Sequence, residues 1–189
     1  MSLPIPVELS ATDARRLALA AQGMLGAPDR RSGVAGLVRS LGAVQLDTIS
    51  VLARSHELVA YARLGAVSRP TAEAAYWGGG CFEYWAHAAC ILPLSQWPVF
   101  AFRRRYYLDR GHHWGEHATP VAKAVVERVR AEGPMTATDL GGAEKTADWW
   151  GWSEVKSAAE FLLASGQLAC TRRVGWRRVY DLPERAKHA

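Results

Sequence analysis

Three cysteines in 189 residues, Cys81, Cys90 and Cys170, are odd in number and lack any CxxC spacing, which argues against a disulfide framework and a structural zinc site. No stretch approaches the roughly 18 uninterrupted apolar residues of a membrane-spanning helix, and the opening MSLPIPVELSATDARR holds no apolar run of signal-peptide length. Phosphate-loop, dinucleotide-binding and nucleophile-elbow motifs are missing as well. The expectations that follow are a reducing, cytoplasmic setting, no membrane, no nucleotide or other cofactor, and no metal.

What is present points to a folded chain. Hydrophobic residues make up 49% and charged residues 22%, far from the composition of a disordered segment. Lys and Arg outnumber Asp and Glu by 23 to 18, giving a net charge of +5 and a pI near 9.4. That balance permits a polyanionic partner without requiring one. Eight tryptophans include Trp77 and Trp85 and a cluster at Trp149, Trp150 and Trp152, expected chiefly in core or subdomain contacts.

A first helix is signalled by Ser10 and Asp13 in the manner of a capping box, with Ala14, Leu17, Leu19, Ala20 and Met24 as its apolar side. The segment GVAGLVRSLGAVQLDTI predicts a short helix stopped near Gly42 and an extended run from Ala43 to Ile49. Next come a helix in ARSHELVAYARLG, another near Thr71 to Tyr76, three glycines, an extended stretch CFEYWAHAACILP, and an amphipathic helix from Leu94 to Asp109. The run GHHWGEHATP interrupts the pattern and marks a boundary, dividing the chain into 1–117 and 118–189.

Beyond it Val121, Ala122, Val125 and Val129 recur at helical spacing, Thr136 and Asp139 suggest another cap, and Ser153 and Gly166 bracket a third helix. A hairpin follows, QLACTRR and WRRVYDL about a turn at Val174 and Gly175, with Arg172, Arg173, Arg177 and Arg178 around Trp176. Three helices and a basic two-stranded wing make a winged helix. Its third helix is expected to enter a major groove, while the wing touches backbone or minor groove. An edge hairpin kept soluble by its charges is the plainer alternative.

Gln45 and Asp47, two apart on a strand, share one face, opposite Val44, Leu46 and Thr48. A carboxylate can take a proton from water and a carboxamide can orient that water, which hydrolysis at a sugar carbon requires; an exposed strand face explains the spacing equally. Arg54, Ser55 and His56 are candidates to hold a phosphate or to form a surface loop. Glu83, Trp85 and His87 alternate on the predicted strand as site lining or as a packed contact. Ser55, His56 and Asp47 carry no serine-hydrolase signature. His112, His113 and His117, with Glu116 beside them, are expected to be surface residues rather than metal ligands.

Taken together, VQLDTISVLARSHELVAYARLG, FEYWAHAACILP and the WWGW, GQL and RRVYDLPER segments resemble the AlkZ/YcaQ family of DNA glycosylases over nearly the whole chain. The resemblance implies tandem winged helices in a mainly α, α+β fold with small sheets, and a monomer acting in the cytoplasm at the nucleoid. It also implies excision of bulky N7-alkylated purines from damaged double-stranded DNA, interstrand crosslinks included. The family's Gln-apolar-Gln or Gln-apolar-Asp motif falls on Gln45, Leu46 and Asp47, in the form associated with crosslink unhooking. Family members run to about twice this length, so the chain is expected to match an N-terminal half. A non-catalytic winged-helix DNA-binding or regulatory protein, and a protein-interaction module, are the competing classes.

Overall fold

The computed structural model describes residues 7–26, 30–110, 120–142 and 153–186. Helix α1, Ala11–Ala21, begins where Ser10 Oγ accepts a 3.1 Å hydrogen bond from the Asp13 amide. None of its residues is buried, so its apolar side lies open, Met24 beyond its end included. Helix α2, Gly33–Leu41, buries Val34, Leu37 and Val38 and stops at Gly42, whose φ of 74° suits a residue without a Cβ.

Strand β1 is only Val44–Gln45, shorter than the expected run to Ile49. Asp47 Oδ1 accepts a 2.9 Å hydrogen bond from the Ile49 amide, and this local bond turns the chain out of the ladder. Helices α3, Ser55–Leu64, and α4, Arg69–Trp77, follow, the latter capped by Ser68.

The stretch expected as one strand is a hairpin, β2 Cys81–Trp85 and β3 Ala89–Pro93. His87 therefore sits in its turn and does not share a strand face with Glu83 and Trp85. Helix α5, Ala101–Arg110, is preceded by a single 3₁₀ turn, Leu94–Gln96, instead of starting at Leu94. Pro98 has no N–H to donate back into a helix begun there.

Helix α6, Pro120–Glu132, buries Ala122, Val125 and Val129. Strand β4, Met135–Thr136, leads into a turn where Thr136 N donates to Asp139 Oδ2 over 2.9 Å and Asp139 N returns a bond to Thr136 Oγ1. Helix α7, Glu154–Ser165, is capped by Ser153 and closed by Gly166 at a φ of 74°. Strands β5, Ala169–Val174, and β6, Arg177–Asp181, precede a short α8, Pro183–Ala186. The β5–β6 turn centres on Gly175 and Trp176, both at positive φ, one position later than expected, because Val174 pairs with Arg177.

Among the described residues six strands form one antiparallel sheet in the order β1-β3-β2-β5-β6-β4. Counted inward from either edge the pattern is the same: a short strand, the second strand of a hairpin, then its first. The halves meet where Glu83 of β2 pairs with Cys170 of β5. One core gathers Val125, Val129, Phe161 and Leu168, a second Val34, Val38, Leu64 and Tyr76. A third draws Phe82, Tyr84 and Trp97 together with Ala169 and Ala186.

Every residue of α7 from Ala158 to Ser165 is buried. Buried from Ala158 onward, the third helix, expected to enter a major groove, offers solvent only its first turn. The mixed α and β architecture, with an antiparallel sheet, is the α+β class expected. The run GHHWGEHATP with His112, His113, Glu116 and His117 lies outside the described residues except for Pro120, and Trp149, Trp150 and Trp152 lie outside them too. Among the described residues no group of His, Cys, Asp and Glu could hold a metal ion, and no helix is long and apolar enough to cross a membrane.

Candidate active site

Val44 and Leu46 are buried while Gln45 is exposed and Asp47 half-buried, so the alternation read from the sequence holds from Val44 to Asp47 and ends at Thr48, which is exposed and lines the same cleft as Asp47. Asp47 opens onto a cleft of about 410 Å³ whose walls include Leu46, Trp85, Lys156, Glu160 and Trp176. Four separate parts of the chain thus converge: the end of β1, the end of β2, the first turns of α7, and the β5–β6 turn. Gln45 points its Oε1 at His87 Nε2, 3.2 Å away, and its carbonyl accepts a 2.8 Å bond from Ser55 Oγ. His87 therefore meets Gln45 from the hairpin turn, an association that strand alternation did not reveal.

One wall of the cleft is an ionic cluster in which Glu160, Arg173 and Arg178 line the cleft and surround the buried Glu83. Glu83 has a fully buried side chain and receives Arg173 through Nε and Nη2, both at 2.8 Å, and Arg178 Nε at 2.6 Å. Arg178 Nη1 also contacts Glu160, whose other partners are Tyr180 Oη at 3.1 Å and Trp85 Nε1 at 3.2 Å. Burial on its own would raise the Glu83 carboxyl, but the Arg178 charge and the Arg173 hydrogen bonds outweigh it and hold the group below its ordinary value. For Arg178 burial works downward, and Glu83 and Glu160 reverse it, carrying the guanidinium well above its ordinary value. Two carboxylates and two guanidiniums compensate one another, which a buried charge requires.

This cluster changes what two of the wing arginines do. Arg173 and Arg178, expected on DNA, turn inward with side chains only 9% and 15% exposed, because fully buried Glu83 must be paired. Arg172 and Arg177 remain exposed on the hairpin. Glu160 and Lys156 were not singled out by sequence reasoning. The signal for Glu160 was there: it is the lone charged residue between Ser157 and Ser165.

The hairpin tip also packs inward. Trp176, at a φ of 67°, stacks on the His56 ring with centroids 5.4 Å apart and planes 15° apart. Arg54 and Arg173 place their guanidinium carbons 3.9 and 4.3 Å from the Trp176 ring centre. His56, expected beside a phosphate, is wholly buried between Trp176 and Tyr76. Desolvation pushes it down to about 4, with Arg54 and Arg173 adding to the effect against Glu57, so it is neutral near pH 7 and offers a phosphate no charge. Ser55 and Arg54 stay half-buried, and Arg54 Nε has no hydrogen-bond partner among the described residues.

Asp47 lines the same cleft as Glu160, Arg173 and Arg178, with its carboxylate hydrogen-bonded to the Ile49 amide. A half-buried carboxylate in a cleft with an aromatic wall can stabilise positive charge developing on a bound group and draw a proton from water. No solved structure matches the chain. The family described as DNA glycosylase AlkZ-like matches residues 38–189, a span that takes in Gln45, Asp47, the hairpin around His87, α7 and the β5–β6 turn. Over about four-fifths of its length the sequence meets that family's pattern, and the chain belongs to the AlkZ-like DNA glycosylases.

Proposed function

We propose that the cleft hydrolyses the N-glycosidic bond of bulky N7-alkylated purines in duplex DNA, interstrand crosslinks included. The observation that carries this reading is the position of Asp47 on the cleft wall beside Trp85, in a member of a DNA glycosylase family. Alkylation at N7 gives the purine a positive charge and makes it a good leaving group, so little general acid is needed. As the bond breaks, positive charge builds on the sugar; Asp47 stabilises it and accepts the proton of the attacking water. Gln45, steadied by His87, orients that water. Trp85, its indole N–H fixed on Glu160, forms a flat wall against which a base stacks.

The two halves, 1–117 and 118–189, act in this reading as tandem winged helices, supported by the strand order repeated from each sheet edge. Arg54, Ser55, Arg172 and Arg177 hold DNA phosphates, and Arg173, Arg178, Trp176 and His56 hold the site together. The chain works as a monomer in the cytoplasm, at the nucleoid. Burial of α7 weighs against a regulatory protein that reads sequence through its third helix.

The test is single-turnover base release from a duplex holding one N7-alkylguanine, comparing the wild type with Asp47→Asn at equal DNA occupancy. Release by the wild type and its loss in the variant, with affinity kept, is the expected result. Binding without release by the wild type overturns the catalytic reading.

A further inference from the structure

Immediately after the Gln45-Leu46-Asp47 motif the chain displays apolar side chains to solvent. Ile49 is 70% exposed, Val51 88% and Leu52 91%, and Val51 and Leu52 exceed every other exposed large hydrophobic residue described. Single exposed apolar residues are ordinary, but a contiguous group open to this degree marks a binding surface.

The loop is held in that posture at both ends. Leu46 and His56 are buried on either side of it. Ser55 Oγ donates to the Gln45 carbonyl over 2.8 Å, closing the loop ten residues apart, and the Ile49 amide is fixed on Asp47. Compact surface loops whose ends are held close together are frequently functional. The loop leaves directly from the cleft, since Asp47 and Thr48 at its start both line it, and Arg54 stands at the far end of the loop.

We propose that Ile49, Val51 and Leu52 form an apolar wedge that enters the base stack of duplex DNA beside the nucleotide presented to Asp47. The proposal rests on the reading of the cleft as a site for duplex DNA. Aliphatic side chains inserted between base steps unstack and kink a duplex locally. A wedge carried on the same tethered loop as the carboxylate fixes the register between the opened step and the sugar under attack. Local opening also suits a crosslinked base, which cannot swing fully out of the helix.

The experiment uses the full chain and a duplex holding one tetrahydrofuran abasic site with 2-aminopurine next to it. That probe is not cleaved, so it reports insertion independently of catalysis. The wild type is expected to raise 2-aminopurine fluorescence about twofold or more as the neighbouring base unstacks. The double variant Val51→Ser, Leu52→Ser, its thermal midpoint unchanged because both side chains are exposed, is expected to lose that rise even at saturation. It should bind about a hundredfold more weakly, as loss of apolar burial from the two side chains would give, with the salt dependence of affinity unaltered.

An equal fluorescence rise in wild type and variant overturns the wedge. So does base release from an N7-alkylguanine duplex by a wild type that gives no rise, and this outcome leaves the glycosylase reading intact. A rise that depends on the two residues, with no base release, supports the wedge and refutes the catalytic reading. Wild-type dimerisation in sedimentation equilibrium that the double variant abolishes assigns the patch to a second copy of the chain and also overturns the proposal.

Discussion

Arg173 grips Glu83 through two parallel hydrogen bonds of 2.8 Å across ninety positions of sequence. The pair joins β5 to β2 beside the only register contact between these strands, Glu83 with Cys170. A fork of this kind matches the planar carboxylate and excludes water from both groups.

The pairing separates the four hairpin arginines by consequence. Arg173→Ala leaves Glu83 buried with less compensation and is expected to destabilise the fold by about 3–5 kcal/mol. Arg172→Ala and Arg177→Ala should change stability by less than about 0.5 kcal/mol, and each should lower the salt slope of DNA binding by about one. Urea unfolding and affinity titrations at several salt concentrations check both halves. Equal stability losses at Arg172 and Arg173 would sink this division.

His56 ties stability to pH. Its folded value of about 4 lies below the roughly 6.5 of an unfolded histidine, so between these limits the unfolded chain binds the additional proton. The stabilising contribution is complete above pH 6.5 and fades as pH falls toward 4, by up to about 3 kcal/mol. The stability of the wild type relative to His56→Phe, from urea unfolding at pH 7, 5.5 and 4.5, should therefore decline with falling pH. A pH-independent difference would show that His56 is not the titrating group.

Trp176 holds a left-handed backbone conformation while its ring fills the space over His56. Removing the ring is expected to cost about 3–5 kcal/mol. Glycine takes positive φ without strain, so Trp176→Gly should unfold about 1 kcal/mol less readily than Trp176→Ala. The reverse order in thermal melts would mean that the turn relaxes in the variants.

Among the described residues Gln45 has a side-chain partner in His87, 3.2 Å away. If this bond positions the water-orienting amide, His87→Leu should slow base release about tenfold at unchanged DNA affinity. Single-turnover rates at saturating protein measure it, and a matching fall in affinity would place His87 in binding instead.

The sequence by itself determined what short-range chemistry controls. Caps at Ser10 and Ser153, left-handed stops at Gly42 and Gly166, and the apolar spacing of α6 each involve residues a few positions apart. So does the in–out alternation around Gln45 and Asp47. Asp47 shortened the strand by a bond to its own neighbouring backbone, and Pro98 delayed α5; both effects are local. Only the tertiary structure decided which charges are buried and which face solvent. Arg172 and Arg173 are adjacent, as are Arg177 and Arg178, yet one of each pair meets water and the other a carboxylate far away in sequence. Whether a charge is desolvated depends on what packs over it, and Glu83, Glu160 and His56 acquire their surroundings only when β2, α7 and the β5–β6 turn come together.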